Sequence, residues 1–280
     1  MMLNKIRWPE GKKSAVMLSI ELDGEFVWIS MDPSIKNRPK SLSVSTYGWK
    51  RGFERVMNVL EESKLKATFF VPGIVAEKYP EKVKKIHEAG HEIALHGYEH
   101  ENFGLLSREE QEEAIKKGIA SIEKLTGCRP VGFRAPEGEV TPETMQILKE
   151  QGFIYDSSFM DSDIPYRQGD IDGDEQLVEI PMRYEMSDFV AFAYNWSPEY
   201  PLGESRIAGF AETLDNWKDE LKAYNDYGLC CVPRFDPQII GHPGRIELLR
   251  EILYYISVGD RWIATGKEIA NYLIGNEEQV

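Results

Sequence analysis

ATFFVPGIVAEKYPEKVKKIHEAGHEIALHGYEH, residues 67–100, is the stretch of this sequence that decides the fold class. It begins with the apolar run Ala67–Val71, which predicts a buried strand and ends at a Pro-Gly turn signal. Pro80–Ala89 has a helical pattern that ends at a glycine, after which Ile93 and Leu95 alternate as in a strand. A strand, a helix and a second strand in this order predict a parallel βαβ unit.

The same order recurs on both sides of this stretch. The predicted strands are Ser14–Ile20, Val131–Phe133, Leu177–Ile180, Phe189–Phe192, Leu229–Val232 and Trp262–Ala264. The predicted helices are Trp49–Glu62, Ser107 to about Leu125, a helix opening at Thr141, Ser205–Tyr227, Arg245–Ser257 and Gly266–Ile274. We therefore expect one α/β domain, residues 1–280, built as a barrel or a doubly wound sheet. Two long polar connections, Ile29–Thr46 and Asp161–Gln176, are typical of loops that shape a substrate pocket.

Composition excludes several classes of partner. The chain has 280 residues, 42% of them hydrophobic, and a net charge of −14, so it can bury a large core and repels nucleic acid and anionic membranes. Its three cysteines, Cys128, Cys230 and Cys231, do not indicate a disulfide framework. The N-terminal residues lack an apolar core of signal-peptide length, and no stretch approaches a transmembrane span. A cytoplasmic location is expected.

Two histidines, His96 and His100, are the strongest chemical signal. The chain has five histidines, and four of them lie between His87 and His100. Glu21 and Asp23 follow the first apolar run, and one carboxylate with two imidazoles is a workable ligand set for a divalent metal with open positions. The spacing alone is weak evidence, because such histidine pairs also occur by chance and for capping or core reasons.

Two other metal classes fit the pattern less well than a metal hydrolase. A zincin helix needs a glutamate directly after the first histidine, where this chain has Gly97. An iron oxygenase usually has its carboxylate two residues after that histidine, and this chain does not. Further polar candidates also follow predicted strands, at Arg134 to Glu137, Asp156 and Asp236. In an α/β barrel these positions share one rim, where active sites form.

Segments along nearly the whole chain resemble the polysaccharide deacetylase family of metal-dependent carbohydrate esterases. They occur in the family's order and are IELDGE (20–25), ATFFVPG (67–73), EIALHGYEH (92–100), GFRAPEG (132–138), YDSSFM (155–160) and FDPQIIGHPGR (235–245). The nearest resemblance is to the cytoplasmic branch, which contains cyclic imide hydrolases, allantoinase-like proteins and peptidoglycan deacetylase-like proteins. It implies a distorted (β/α) barrel with seven or eight strands.

The resemblance also implies roles for single residues. Asp23, His96 and His100 would hold one divalent metal ion, with Zn²⁺ expected and Co²⁺, Mn²⁺, Fe²⁺ or Ni²⁺ as alternatives. The ion would polarise the substrate carbonyl and acidify a water. Glu21 occupies the position of the family's aspartate base and would accept the proton of that water. Arg134 would orient Glu21, and the backbone amide that follows Pro136 (at position 137) would help to hold the oxyanion.

The last motif departs from the family pattern. This chain has Asp236 before a proline, where the family has a histidine that protonates the leaving nitrogen. Three interpretations are open. Asp156, which normally supports that histidine, could share one proton with Asp236. His242, six residues further on, could act as the acid. Alternatively, the protein could bind its ligand without turnover.

The resemblance implies hydrolysis of a carbon–nitrogen amide bond, with removal of an N-acetyl group from an amino sugar as the first expectation. A cyclic imide or ureide hydrolase is the alternative, since ring opening keeps the leaving nitrogen tethered and depends less on an acid. A non-catalytic metal-bearing binding protein is the second alternative. The expected partner is a small molecule or oligosaccharide, and a homo-oligomer stays open. Trp28, Trp49 and Trp196 could line a ring pocket, although packing is the commoner role of tryptophan.

Overall fold

The fold centres on a curled, eight-stranded sheet with helices packed against it. A computed structural model describes residues 6–136, 139–168, 177–195, 197, 199–202 and 207–276. Across the sheet, the strands run in the order β10 (Arg234–Phe235), β2 (Ser19–Glu21), β3 (Thr68–Val71), β4 (Glu92–Leu95), β5 (Gly132–Phe133), β6 (Tyr155–Asp156), β8 (Val178–Glu179) and β7 (Tyr166–Arg167). Every neighbouring pair is parallel except β7 with β8. This α/β half-barrel confirms the predicted fold class and strand number.

A second sheet of three strands lies beside the first. Its order is β11 (Arg261–Ile263), β1 (Ser14–Val16) and β9 (Cys230–Cys231), all parallel. The predicted single strand Ser14–Ile20 is therefore two strands in different sheets. The backbone changes partner between them: Met17 donates to the Cys231 carbonyl, whereas the Leu18 carbonyl accepts from Thr68 on β3.

The helices mostly follow the predicted pattern. Ser107 caps α6 with a complete capping box, so that its side chain and that of Glu110 each satisfy a free backbone N–H at the helix start. Most of the helices bury apolar side chains against the sheets. The helices are α1 (Glu25–Met31), α2 (Pro39–Tyr47), α3 (Phe53–Ser63), α4 (Gly73–Lys78), α5 (Pro80–Glu88), α6 (Arg108–Thr126), α7 (Pro142–Glu150), α8 (Asp188–Phe192), α9 (Phe210–Tyr227), α10 (Arg245–Ser257) and α11 (Gly266–Ile274). None of the helices in the described ranges is long and apolar enough to cross a membrane.

Two further sequence predictions are wrong. The run Phe189–Phe192, predicted as a strand, belongs to helix α8. Its first and last phenylalanines pack on the core three residues apart, while Val190 between them is exposed. A short apolar run does not distinguish the two structures by periodicity, so packing decides. The connection Ile29–Thr46, predicted as a polar loop, contains the end of α1 and most of α2, which opens with a proline at its first helical position. Of the other predicted connection, the stretch 169–176 lies outside the described residues, and the rest contains β7.

Candidate active site

Three side chains meet where the parallel strands β2 and β4 end. Asp23 lies two residues after β2, and His96 follows β4 directly. Asp23 Oδ1 is 3.6 Å from His96 Nε2, and Asp23 Oδ2 is 3.4 Å from His100 Nε2. One potential ligand atom from each side chain lies within 4.8 Å of the others, and all three residues are buried. His100 has a φ of +65°, a left-handed backbone that is uncommon for a residue other than glycine.

Hydrogen bonds orient both imidazoles toward the aspartate. His96 Nδ1 donates to the Arg134 carbonyl at 2.7 Å. His100 Nδ1 lies 3.2 Å from the Ser30 hydroxyl, which also bonds to the Val27 carbonyl. The His96 Nε2 lone pair then points to the side of the carboxylate, and His100 Nε2 faces the same carboxylate. Burial lowers the pKa of His96 to about 4, so its ring is neutral at pH 7.

This arrangement fits a divalent metal ion. The Asp23 carboxylate and the neutral His96 ring face each other with lone pairs, which is unfavourable unless a cation lies between them. Asp23 Oδ1 is buried without a hydrogen-bond partner among the described residues, although buried polar atoms nearly always have one. Carboxylate oxygen and imidazole nitrogen are also ligand atoms that zinc and the neighbouring first-row transition metals bind.

A second carboxylate, Glu21, lies in the same pocket and is bound by two arginines. Arg234 donates to both of its oxygens, at 3.0 Å from Nε and 2.8 Å from Nη2. Arg134 Nη1 donates to Glu21 Oε1 at 3.2 Å. Burial alone would raise the pKa of the Glu21 carboxyl, but Arg234 and Arg134 hold that pKa far below its usual range. Glu21 is therefore ionised at neutral pH.

Arg134 follows β5 and is itself rigidly held. Its guanidinium is fully buried, donates to the carbonyl and hydroxyl of Ser157 and to the Ser19 hydroxyl, and lies 4.0 Å from the centre of the Phe70 ring. Burial lowers the pKa of Arg134 to about 10, which leaves it charged at pH 7. The structure thus brings Arg134 to the carboxylate that it was predicted to orient.

Sequence analysis missed Arg234. It lies on β10, which pairs with β2, so its side chain reaches Glu21 across neighbouring strands. The signal was present in the sequence: a cation within the apolar run Leu229–Phe235, two residues before Asp236. A charged residue inside a predicted buried strand is costly unless it has a partner.

These residues form the floor of a cavity of about 190 Å³ with apolar walls. Tyr184 and Met31 lie at its edge and are 51% and 42% exposed. The lining residues are Glu21, Asp23, Val27, Met31, His96, His100, Arg134, Ala135, Met182, Tyr184, Phe189 and Arg234.

The carboxylate pair expected between Asp156 and Asp236 does not form, because each carboxyl has another partner. Asp156 accepts from the Ser158 hydroxyl at 2.8 Å and pairs with Glu179 on the neighbouring strand β8. Burial and then the charge of Asp156 raise the pKa of Glu179 well above its usual value, so Glu179 carries the proton of this pair. Both oxygens of Asp236 accept from Gln238, at 2.8 Å from its backbone and 2.7 Å from its side chain.

The other acid candidates, Asp236 and His242, have contacts of their own outside the described lining. Asp236 is buried and is absent from the described lining, and its backbone N–H donates to the Asp188 carboxyl. Burial, then Asp23 and Asp188, raise the pKa of Asp236 well above its usual value. His242 stacks on Tyr47 with ring centres 4.1 Å apart and is also absent from the described lining. Asp156, Asp236 and His242 are therefore not among the pocket-lining residues that the structure describes.

The tryptophans that the sequence offered as pocket walls are packing residues where the structure describes them. Trp28 is buried and donates to the Gln238 side chain. Trp49 is buried, donates to Glu25 and stacks on Tyr79. Trp196 and residue 137, whose amide was predicted to hold the oxyanion, lie outside the described residues.

Comparison with known proteins gives the family. A family model described as polysaccharide deacetylase matches residues 37–155. A peptidoglycan deacetylase-like protein of Gibberella zeae is 34% identical over 158 residues, which are 55% of this chain and 47% of that protein, so this match spans about half of the relative. The peptidoglycan deacetylase of Helicobacter pylori is 33% identical over 284 residues, 93% of this chain and 96% of that protein. The chain belongs to the polysaccharide deacetylase family.

A solved structure extends this result to the fold. The crystal structure of a polysaccharide deacetylase homologue from Mycobacterium smegmatis is 34% identical, covers 99% of this chain and 96% of its own, and superposes with a TM-score of 0.91. The resemblance stated from the six sequence segments is thereby confirmed. The matched residues of the family model include His96, His100 and Arg134, whereas Glu21, Asp23 and Asp236 lie beyond them.

Proposed function

We propose that this member of the polysaccharide deacetylase family is a metal-dependent hydrolase that removes N-acetyl groups from an amino sugar. The observation that carries the proposal is the meeting of Asp23, His96 and His100 in one buried cluster, beside the ionised Glu21. A ligand set with open positions next to a free base is the usual arrangement for metal-assisted hydrolysis. A soluble oligosaccharide in the cytoplasm is the substrate form that we propose.

The chain's own residues would divide the work as follows. Asp23, His96 and His100 would hold a divalent ion, most simply Zn²⁺, which supplies a polarised carbonyl and a water of lowered pKa. Glu21 would accept the proton of that water. Because two arginines make Glu21 a weak base, this transfer depends on the acidity of the water. Arg134 and Arg234 keep the carboxylate in one orientation during the transfer.

A second candidate is ring opening of a cyclic imide or ureide. Of the lining residues that the structure describes, only His96 and His100 are histidines, and both are metal-ligand candidates. Among the described lining residues, no further imidazole is then left to protonate a departing amine. An imide nitrogen leaves more easily than a simple amide nitrogen, and in a ring it stays attached to the product. The replacement of the family histidine by Asp236 favours this candidate.

The test separates both candidates from a protein without turnover. The purified protein is stripped with a chelator, reloaded with Zn²⁺, Co²⁺, Mn²⁺, Fe²⁺ or Ni²⁺, and assayed for acetate release from chitooligosaccharides. Loss of ultraviolet absorbance from a dihydropyrimidine or a succinimide reports ring opening. Acetate release supports the deacetylase, and ring opening alone supports the second candidate. A loaded protein that does neither contradicts both and supports a metal-bearing binding protein.

Substitutions then assign the roles on whichever substrate reacts. Glu21→Gln should lower kcat by roughly 10²- to 10⁴-fold while the bound metal, measured by elemental analysis, stays near one ion per chain. His100→Asn should lose the metal. His87→Asn is the matched control, because His87 lies on α5 outside the described pocket lining. If Glu21→Gln kept full turnover, the base assignment would be wrong.

A further inference from the structure

Two carboxylates with different expected roles project into one pocket from the same strand end. Glu21 and Asp23 are two residues apart, and the Leu22 N–H between them bonds to the Phe70 carbonyl on β3, so the chain is still extended. In an extended chain, residues i and i+2 point to the same face. Both side chains are buried and line the cavity. Either carboxylate is a suitable ligand for a divalent ion.

Their surroundings differ sharply. One oxygen of Asp23 has no hydrogen-bond partner among the described residues, and both of its oxygens face imidazole nitrogens. Both oxygens of Glu21 already accept from arginine. Arg134 reaches only Oε1, at 3.2 Å, whereas Arg234 binds Oε1 and Oε2 together. Without Arg234, Oε2 would lose the only hydrogen bond that the structure gives it among the described residues.

The two-point contact is rigid. A guanidinium that bonds to both oxygens of a carboxylate fixes its plane as well as its position. Arg234 is on β10, in register with Ser19 of β2, so the strand pairing sets the distance between the two side chains. Its ion pair with Glu21 is largely shielded from water, with side-chain exposures of 14% and 9%. Such a pair is screened much less than a surface pair.

We infer that Arg234 is a positioning residue that holds Glu21 out of the metal's ligand set. Asp23 is then the only carboxylate ligand, and Glu21 stays available as the proton acceptor. The inference rests on the proposed metal site. It predicts that the removal of Arg234 lets Glu21 become a fourth protein ligand, so that the metal binds more tightly.

The experiment is a Co²⁺ titration of the stripped full-length protein, followed by visible absorption. Arg234→Met should bind Co²⁺ with a lower Kd than the wild type, because a charged ligand is added, and its spectrum should change because a carboxylate has replaced water. The same substitution in a Glu21→Gln background should give no such gain. If Arg234 only stabilised the structure, its substitution would weaken Co²⁺ binding. The sign of the change in Co²⁺ affinity therefore distinguishes the two roles.

Arg261→Met is the matched control. Arg261 is also a buried arginine on a strand, but it bonds to backbone carbonyls beside the three-stranded sheet, and its loss should leave Co²⁺ affinity unchanged. Unchanged or weaker binding by Arg234→Met, or an equal gain in the Glu21→Gln background, overturns the inference alone. A wild type that binds no Co²⁺ overturns the inference together with the proposed metal hydrolase.

Discussion

His91 is buried, and its environment requires a neutral ring. Its Nδ1 accepts a hydrogen bond from the Ala67 backbone N–H at 3.2 Å, which only an unprotonated nitrogen can do. Burial, with a smaller effect from Lys66, lowers the pKa of His91 from 6.5 to about 4. In the unfolded chain the pKa returns to the ordinary value. The unfolded state therefore binds more protons between these two values, and the contribution of His91 to stability falls as the pH falls from about 6.5 to 4.

His91→Asn should reduce this acid-side loss, because the asparagine oxygen accepts the same hydrogen bond and does not titrate. The measurement is the free energy of unfolding by urea between pH 8 and pH 4.5 for the stripped protein. The free energies of unfolding of the wild type and the variant should differ by a constant amount above pH 7. Below pH 6, the free energy of unfolding of the wild type should fall more steeply than that of the variant. Parallel curves over the whole range would contradict the prediction.

At the scale of elements, the start of α3 is pressed against the loop that follows β10. A methyl group on Gly52 would lie 1.9 Å from the Pro237 carbonyl oxygen, and one on Gly241 would lie 2.3 Å from the Gly52 Cα. Gln238 belongs to this loop and bonds to Trp28 of α1 and to Asp236. The close approach of two glycines thus lets the loop reach the helix that carries the pocket wall.

Gly52→Ala should destabilise the protein by about 1–3 kcal/mol through overpacking. Helix propensity alone predicts the opposite sign, a gain of about 1 kcal/mol for alanine over glycine. Urea unfolding of the variant measures the difference. Asn58→Ala, on the exposed face of the same helix, is the control and should change stability by less than about 0.5 kcal/mol. A more stable Gly52→Ala protein would show that the contact can relax.

At the scale of the whole molecule, the proposed metal would join parts of the chain that are far apart in sequence. Its ligands come from the loop after β2 and the loop after β4, with β3 between them in the sheet. An ion that binds only the folded state adds stability by mass action, about 2.7 kcal/mol when its free concentration is 100 times Kd. The ion would also give Asp23 Oδ1, which is buried without a hydrogen-bond partner among the described residues, a ligand contact.

Chelation should therefore lower the Tm of the wild-type protein, and excess Zn²⁺ should restore it. The expected difference is several degrees, since about 1 kcal/mol moves Tm by roughly 2–4 °C in chains of 150–250 residues. Thermal unfolding followed by circular dichroism measures it. Asp23→Asn removes the charged ligand and should show no shift with either treatment. An equal shift in that variant would indicate that Zn²⁺ acts elsewhere on the protein.

Local patterns were sufficient for the order of strands and helices and for most of the candidate residues. The βαβ period between residues 67 and 100 predicted a parallel sheet, and such a sheet brings its carboxyl ends to one edge. Glu21, Asp23, His96, His100 and Arg134 line one pocket in the structure for that reason. Their chemical roles stay predictions until turnover and metal binding are measured.

The partners of charged groups across strands could not be predicted in this way. Asp156 pairs with Glu179 instead of Asp236 because β6 and β8 are neighbours in register. Arg234 reaches Glu21 because β10, one of the last strands in sequence, pairs with β2, one of the first. No periodicity within either segment carries that information.

The amino-acid sequence by itself determined the α/β class, the family and the two histidines with their aspartate, since each of these depends on short-range patterns and residue identity. Only the tertiary structure decided that Ser14–Ile20 divides between two sheets, that Phe189–Phe192 is helical and that two arginines hold one carboxylate. These features depend on which backbone and side-chain groups lie opposite each other after the sheet has curled. The local sequence can indicate that a buried charge such as Arg234 needs a partner, but it does not tell which residue the partner is.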